Sequence, residues 1–253
     1  MYKIQDIYDC IQTFAPFERA MSFDNAGLLC GSLTDSVSGV LLSLDITPTV
    51  ISQAAEMKAN LIVSHHPVIF SPLRRLEPGS TPWMLVRQGI GAVCAHTNLD
   101  VADTGVNLAL ADAIGLADSQ PFCPEDPEMF GRCGTVTPVF SEQFSRLVKQ
   151  RLRSNHLRFT VGRGQIRRVV VAGGAGGELW SRALSEGFDA LVTGEAKYHQ
   201  FLEADAAGFS LIEAGHFATE TPVLSLLART LSAAFPDLPI SLSRQEDPAR
   251  SLK

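Results

Sequence analysis

Leu61-Ile62-Val63-Ser64-His65-His66-Pro67 is an apolar run that closes on two histidines and a proline. Successive side chains on an extended segment point to opposite faces, so neighbouring histidines serve one site only where the strand has ended. Pro67 stops the strand, because proline removes a ladder donor. Both imidazoles are therefore expected at the carboxyl end of a buried strand, the edge where open α/β sheets place their ligands.

Working outward, Val40 to Asp45 reads as another continuous apolar strand, and Thr47-Pro48 opens a helix running to about Ala59. Strand, helix, strand over this length is a βαβ unit, which implies a parallel sheet covered on both faces. Ile4, Ile7, Tyr8, Ile11 and Phe14 recur at helical spacing, so the chain starts with an amphipathic helix. Phe23 to Gly31 reads as a turn followed by a strand. Beyond the histidines, His66 to Thr81 is a polar, Pro-rich loop, Pro82 to Gln88 a helix, and Ile90 to Ala95 a strand that ends in His96-Thr97-Asn98-Leu99-Asp100. Val106 to Ile114 is helical, with Gly115 as its C-cap. Between Ala117 and Arg132 the composition turns to Pro, Asp, Glu and Gly, which marks a boundary between two halves, 1–122 and 123–253.

The second half opens with a strand from Gly134 to Val139 and a helix from Ser141, its N-cap, to about Leu152. Arg167 to Ala172 is a strand entering Gly173-Gly174-Ala175-Gly176-Gly177, followed by a helix to about Glu186. Ala190 to Thr193 is a strand ending in Gly194-Glu195-Ala196-Lys197-Tyr198-His199, and Leu211 to Ala214 is one ending at Gly215-His216. Thr221-Pro222 starts a long helix to Ala234, and Ile240 to Leu242 is a short last strand. A shift of 129 lays Leu41–Asp45 on Val170–Gly174 and Leu61–His66 on Ala190–Glu195 with no gap. Identity is almost nil, so what repeats is strand, helix, strand and a polar terminus. Repeats of similar α/β units commonly place a site in the cleft between them.

The chain has 253 residues, 45% hydrophobic and 19% charged, which reads as a folded protein rather than a disordered one. A formal charge of −6 argues against non-specific binding to nucleic acid or acidic membranes. The N-terminal stretch lacks a signal peptide's apolar region, and no run of about 18 apolar residues could span a bilayer. The five cysteines, an odd number without CxxC spacing, suit buried reduced thiols in a cytoplasmic protein.

Of the six histidines, His65, His66, His96 and His216 lie within a few residues of an expected strand end, and His199 lies just after another. Only His156 falls in an ordinary polar segment. A single histidine at a strand end is usually structural, but imidazoles grouped with carboxylates point to metal. The carboxylates are Asp100 and Glu220, four residues after His96 and His216 respectively, each expected in a loop between strand and helix. Plain readings exist for both: an Asx turn for Asp100 and a helix-start charge for Glu220. Taken together, three nitrogen and two oxygen ligands suit Zn, Mn, Fe or Co and are too nitrogen-rich for Ca or Mg. Five ligands exceed one tetrahedral zinc. A carboxylate bridging two ions about 3.5–4 Å apart would use them all, lower the pKa of a shared water and favour hydrolysis.

Other chemistries fare less well. The Gly173–Gly177 turn fails the G-x-G-x-x-G pattern, since the last glycine falls on Leu179; a tight turn is the plainer reading. Lys197 suits either a phosphate contact or a solvated loop. No GxSxG elbow is present, Cys94 lies in a buried strand where a thiol is inert, and basic and aromatic residues do not interleave as a single-strand-binding platform requires.

The ordered set Phe23-Asp24-Asn25-Ala26-Gly27-Leu28, Ser64-His65-His66-Pro67, His96–Asp100, Thr193–His199 and Gly215-His216-Phe217-Ala218-Thr219-Glu220 resembles the GTP cyclohydrolase 1 type 2 family, the Nif-three-like proteins, over nearly the whole chain. The resemblance implies an α/β fold of two intertwined α/β repeats with mixed, largely parallel sheets, and a toroidal homo-hexamer with metal sites facing an inner cavity. It implies that His65 and His66 each bind one of two divalent metals, with His216 joining His65, Asp100 joining His66 and Glu220 bridging. His96, Lys197 and His199 match positions lining the same cleft, as substrate-binding rather than ligand residues. Longer members carry an inserted domain, for which this chain has no room between its halves. Glu195 departs from the family, where many members have Asp. The implied function is a metal-dependent hydrolase with a nucleotide such as GTP as substrate. The alternative is a non-enzymatic metal-binding oligomeric adaptor or regulatory protein.

Overall fold

The computed structural model describes residues 1–124 and 130–250. In chain order it forms α1 (Ile4–Phe14), β1 (Gly27–Cys30), β2 (Val40–Ser43), α2 (Pro48–Glu56), β3 (Leu61–Ser64), α3 (Thr81–Gln88), β4 (Gly91–Cys94) and α4 (Thr97–Asp100). Then come α5 (Val106–Ile114), β5 (Ala117–Pro121), β6 (Arg132–Val139), α6 (Ser141–Leu152), β7 (Arg158–Phe159), β8 (Ile166–Ala172), α7 (Trp180–Ser185) and β9 (Ala190–Thr193). The last elements are α8 (Tyr198–Ala207), β10 (Ser210–Glu213), α9 (His216–Glu220), α10 (Pro222–Ala234) and β11 (Ile240–Leu242). No described helix is long and apolar enough to cross a membrane.

Two compact units result: Met1–Ala102 with Leu224–Glu246, and Asp103–Val223 with Asp247–Lys253. The first holds a sheet of order β1-β4-β3-β2-β11, in which only β1 runs antiparallel to its neighbour. Every residue of β2, β3 and β4 is buried, as expected where helices cover both faces of parallel strands. Leu41, Ile62 and Ala92 stand side by side in register and pack on Ile51 and Ala54 of α2 and Leu85 of α3. Thr47 caps α2, its hydroxyl accepting from Val50 N–H at 3.2 Å, and Pro48 fills the first helical position.

The second unit's sheet has the order β5-β6-β8-β9-β10-β7, parallel across β8, β9 and β10 and antiparallel at its flanks. Strand alternation divides its side chains between two apolar layers. Val170, Leu191 and Leu211 point into one with Ala183, Ala204 and Phe209. Val169, Val171, Val192 and Ile212 point into the other with Leu110, Ile114, Phe144 and Val148.

The 129-residue shift holds down to individual pairs. Val40 to Ser43 face Leu61 to Ser64, and Val169 to Ala172 face Ala190 to Thr193, in the same register. At the third parallel strand the shift is 119, since β4 starts at Gly91 and β10 at Ser210.

Several expectations change. The boundary expected at 122/123 differs from the compact units, which keep 103–122 with the second and 224–246 with the first. Packing explains this: Leu110, Ala111 and Ile114 of α5 belong to a second-unit core, while β11 extends the first sheet beside β2. Ala117–Pro121, read as part of a connection, is strand β5 paired with β6; residues 125–129 of that connection lie outside the described residues. Ser141 is the first residue of α6 rather than its cap, and its hydroxyl lies 2.7 Å from that of Ser210. Gly115 does cap α5, with a left-handed φ of 74°.

Leu191 is fully buried at the centre of the second sheet. Leu191→Ala is expected to lower unfolding free energy by about 2–5 kcal/mol in chemical denaturation, while Arg167→Ala on the surface stays within about 0.5 kcal/mol.

Candidate metal centre

In the first unit β3 ends at Ser64, and the next two side chains emerge from the sheet's carboxyl edge. His65 is fully buried, with Nδ1 2.8 Å from the Ala95 carbonyl oxygen. His66 is half-buried, and its Nδ1 lies 2.8 Å from Asp45 Oδ1. Asp45 is itself held: Gln245 Nε2 donates to its other oxygen at 2.8 Å, and Gln245 Oε1 accepts from Asp45 N–H at 3.2 Å and from the Ser43 hydroxyl at 2.9 Å.

His96 lies at the start of α4 with Nδ1 2.8 Å from Asp24 Oδ1. Asp24 Oδ2 accepts from Thr97 N–H at 3.0 Å and from the Thr97 hydroxyl at 2.5 Å. Asn25 Nδ2 donates to the Ile69 carbonyl at 2.5 Å, fastening the loop after the histidine pair. The three rings stand 5.0, 5.3 and 5.6 Å apart, centroid to centroid. Each offers a nitrogen within 4.8 Å of the others, a group that could hold a metal ion. Asp100, buried at the end of α4, brings Oδ1 to 3.6 Å from His65 Nε2.

In the second unit His216 opens α9. Its Nδ1 lies 2.7 Å from Glu195 Oε1, and its Nε2 lies 3.0 Å from Oε1 of Glu220, one helical turn on. His216 and Glu220 thus share a helix face, and His96 and Asp100 bracket a helical turn. The loop placement expected for both pairs is corrected, because α4 and α9 are single turns too short to show an apolar period.

The glycine turn beneath Glu220 is consumed by the protein itself. Gly173 N–H donates to Asn107 Oδ1 at 2.9 Å, Gly174 N–H to the Thr219 hydroxyl at 3.2 Å, and Gly176 N–H to the Thr193 hydroxyl at 3.0 Å. Those amides are committed to side chains rather than left to cradle a phosphate, in keeping with the tight-turn reading. Gly174 has φ 63°, and a Cβ there would sit 2.4 Å from Glu220 Oε1. Glycine is needed to bring the turn this close.

One pattern joins all four histidines. Each presents Nδ1 to an oxygen: a carbonyl for His65, a carboxylate for His66, His96 and His216. Donation from Nδ1–H fixes the tautomer that leaves the Nε2 lone pair for a ligand, and a carboxylate partner raises its basicity. This donor set fits a borderline divalent cation.

Burial works against the charge on Asp24, but hydrogen bonds from His96 and Thr97 outweigh it and hold the carboxyl far below the usual carboxylate range. The Cys94 thiol is pushed well up by burial, which keeps it protonated and inert, as its strand position implies.

Of the residues expected to line the cleft, His96 joins the first unit's histidine group. Lys197 pairs with Glu178 at 2.8 Å on the surface, and His199 is exposed in the first turn of α8. Asp45, Gln245 and the supporting role of Glu195 were not anticipated. A signal for Asp45 existed: it stands two residues past Ser43, as His66 stands two past Ser64, and those strands pair in parallel.

Two outcomes follow from this geometry. Gly174→Ala forces a Cβ onto Glu220 at positive φ, and is expected to cost about 1–3 kcal/mol in chemical denaturation. Asp24 has a depressed folded pKa, so its stabilisation is complete above the unfolded value of about 3.9 and is lost as pH falls below it. The stability gap between the native chain and Asp24→Asn should therefore narrow below about pH 4 in acid titrations followed by circular dichroism.

A protein of Lactococcus lactis named GTP cyclohydrolase 1 type 2 homolog is 32% identical over 223 residues, spanning 85% of this chain and 86% of its own. A Nostoc protein of the same name is 36% identical over 201 residues, 76% of each chain. The Staphylococcus aureus hypothetical protein SA1388 shares the fold with a TM-score of 0.91 at 27% identity, covering 99% of both chains. A Bacillus cereus protein related to NIF3 shares it with a TM-score of 0.89 at 23% identity, over 100% of this chain and 99% of its own. The family model described as DUF34/NIF3 (NGG1p interacting factor 3) matches residues 2–248, and with that span the chain belongs to the DUF34/NIF3 family.

Proposed function

We propose that His65, His66, Asp100, His216 and Glu220 bind two divalent cations, Zn, Mn, Fe or Co, and that the chain is a metal-dependent hydrolase. The observation that carries this is the common orientation of the histidines, each Nδ1 engaged by an oxygen. Chance placement of histidines would not repeat it, and metal-ligating histidines show it regularly. Two cations so held would make a hydroxide available at neutral pH.

The chain's own groups supply the rest. Asp45 and Glu195 orient the rings of His66 and His216, and the Ala95 carbonyl does so for His65. Glu220, buried and one turn from His216, contributes the anionic bridge in this reading. His96, Lys197 and His199 are assigned to the substrate side. GTP is the substrate to test first, because the curated relatives carry its name, and a homo-hexamer is the proposed assembly.

Metal analysis of the reconstituted protein is expected to find about two equivalents per chain, both lost in Glu220→Ala. A single equivalent, or full retention in that variant, would sink the bridged site. Formate release from GTP, abolished by chelator and by Glu220→Ala, would establish the cyclohydrolase chemistry. Tight metal binding with no release would favour the adaptor reading. Light scattering should return the mass of a hexamer; a monomer would remove the assembly from the proposal.

A further inference from the structure

Glu213, the last residue of β10, is a buried carboxylate in the second unit. Beside it β7 is only two residues long, and its register sets Arg158 directly opposite Glu213. Arg158 Nε donates to Glu213 Oε2 at 2.7 Å, and a terminal guanidinium nitrogen donates to the same oxygen. That nitrogen also donates to the Ala196 carbonyl at 3.3 Å, while the guanidinium carbon lies 4.8 Å from the centre of the Phe201 ring on α8.

Ala196 directly follows Glu195, whose carboxylate engages His216 Nδ1 at 2.7 Å. On the other side, Glu195 N–H donates to the Gly174 carbonyl at 2.9 Å. The Glu195 side chain is 58% exposed, so few side-chain contacts restrict its rotamers. Its aim depends on how firmly the backbone beneath it is held.

We propose that Arg158, anchored by Glu213, is a positioning residue for the metal site: it clamps the Ala196 carbonyl so that Glu195 stays on His216 Nδ1. The metal part rests on the reading that His216 is a ligand. Arginine suits the task because its planar fork reaches the carboxylate and the carbonyl together, which a lysine ammonium on a flexible stem does not.

The test uses the full chain with Arg158→Lys, which keeps a positive charge beside buried Glu213, together with Glu195→Gln and the double variant. In metal-free protein, 13C NMR relaxation reads how ordered the Glu195 side chain is. In the native chain that side chain should be ordered, and Arg158→Lys should loosen it. Zinc affinity, by competition with a chromophoric chelator, should weaken about tenfold in Arg158→Lys. The double variant should be no weaker than Glu195→Gln alone, because both changes remove one interaction. Unchanged Glu195 order in Arg158→Lys, or affinity losses that multiply in the double variant, would overturn the proposal. A loosened Glu195 in a chain that binds no zinc would retire the metal reading and leave the positioning role in place.

Discussion

The site depends on the hydrogen bond at Nδ1 of its histidines, and for His65, His66 and His216 that bond depends on parallel register. Parallel strands in register end at one level, so residues one to three places past each end gather along the same edge. Asp45 and His66 meet because Ser43 faces Ser64. His65 reaches the Ala95 carbonyl because Ser64 faces Cys94. Glu195 reaches His216 because Thr193 faces Glu213. The apolar centre of each sheet thus sets the orientation of the imidazoles at its rim. A one-residue slip would turn every strand side chain to the other face, a change the buried strands of both sheets resist.

Much of this was legible in the residues themselves. Ile4–Phe14, Leu61–Ser64, Val106–Ile114, Ala190–Thr193 and Ile240–Leu242 form the elements expected of them. Buried parallel strands are unbroken apolar runs, and an amphipathic helix declares its period. What escaped notice is physical in origin. β5 is Ala-Asp-Ser-Gln-Pro, an exposed edge strand with no apolar alternation to reveal it. α9 has five residues and is followed by Thr221-Pro222, which reads as a new helix start. Gln245 acts on Asp45 from 200 residues away, a separation that no local pattern encodes.

The ligand residues fared better than their supports for a related reason. A histidine at a strand end is chemically conspicuous, whereas an aspartate or glutamate there is the ordinary way for a strand to leave the core. Asp24, Asp45 and Glu195 look like solvated turn residues until their partners are known.

The 129-residue shift has a consequence beyond shared topology. It lays His66, the imidazole backed by a carboxylate, on Glu195, a carboxylate that backs an imidazole. It lays Asp45, which supports His66, on Gly174, where any side chain would strike Glu220. Equivalent backbone positions have specialised in opposite senses, one half's donor matching the other's buttress. The repetition is therefore one of scaffold and not of chemistry. Neither half could be replaced by a copy of its counterpart, and a drift at one position leaves its structural equivalent under different constraints.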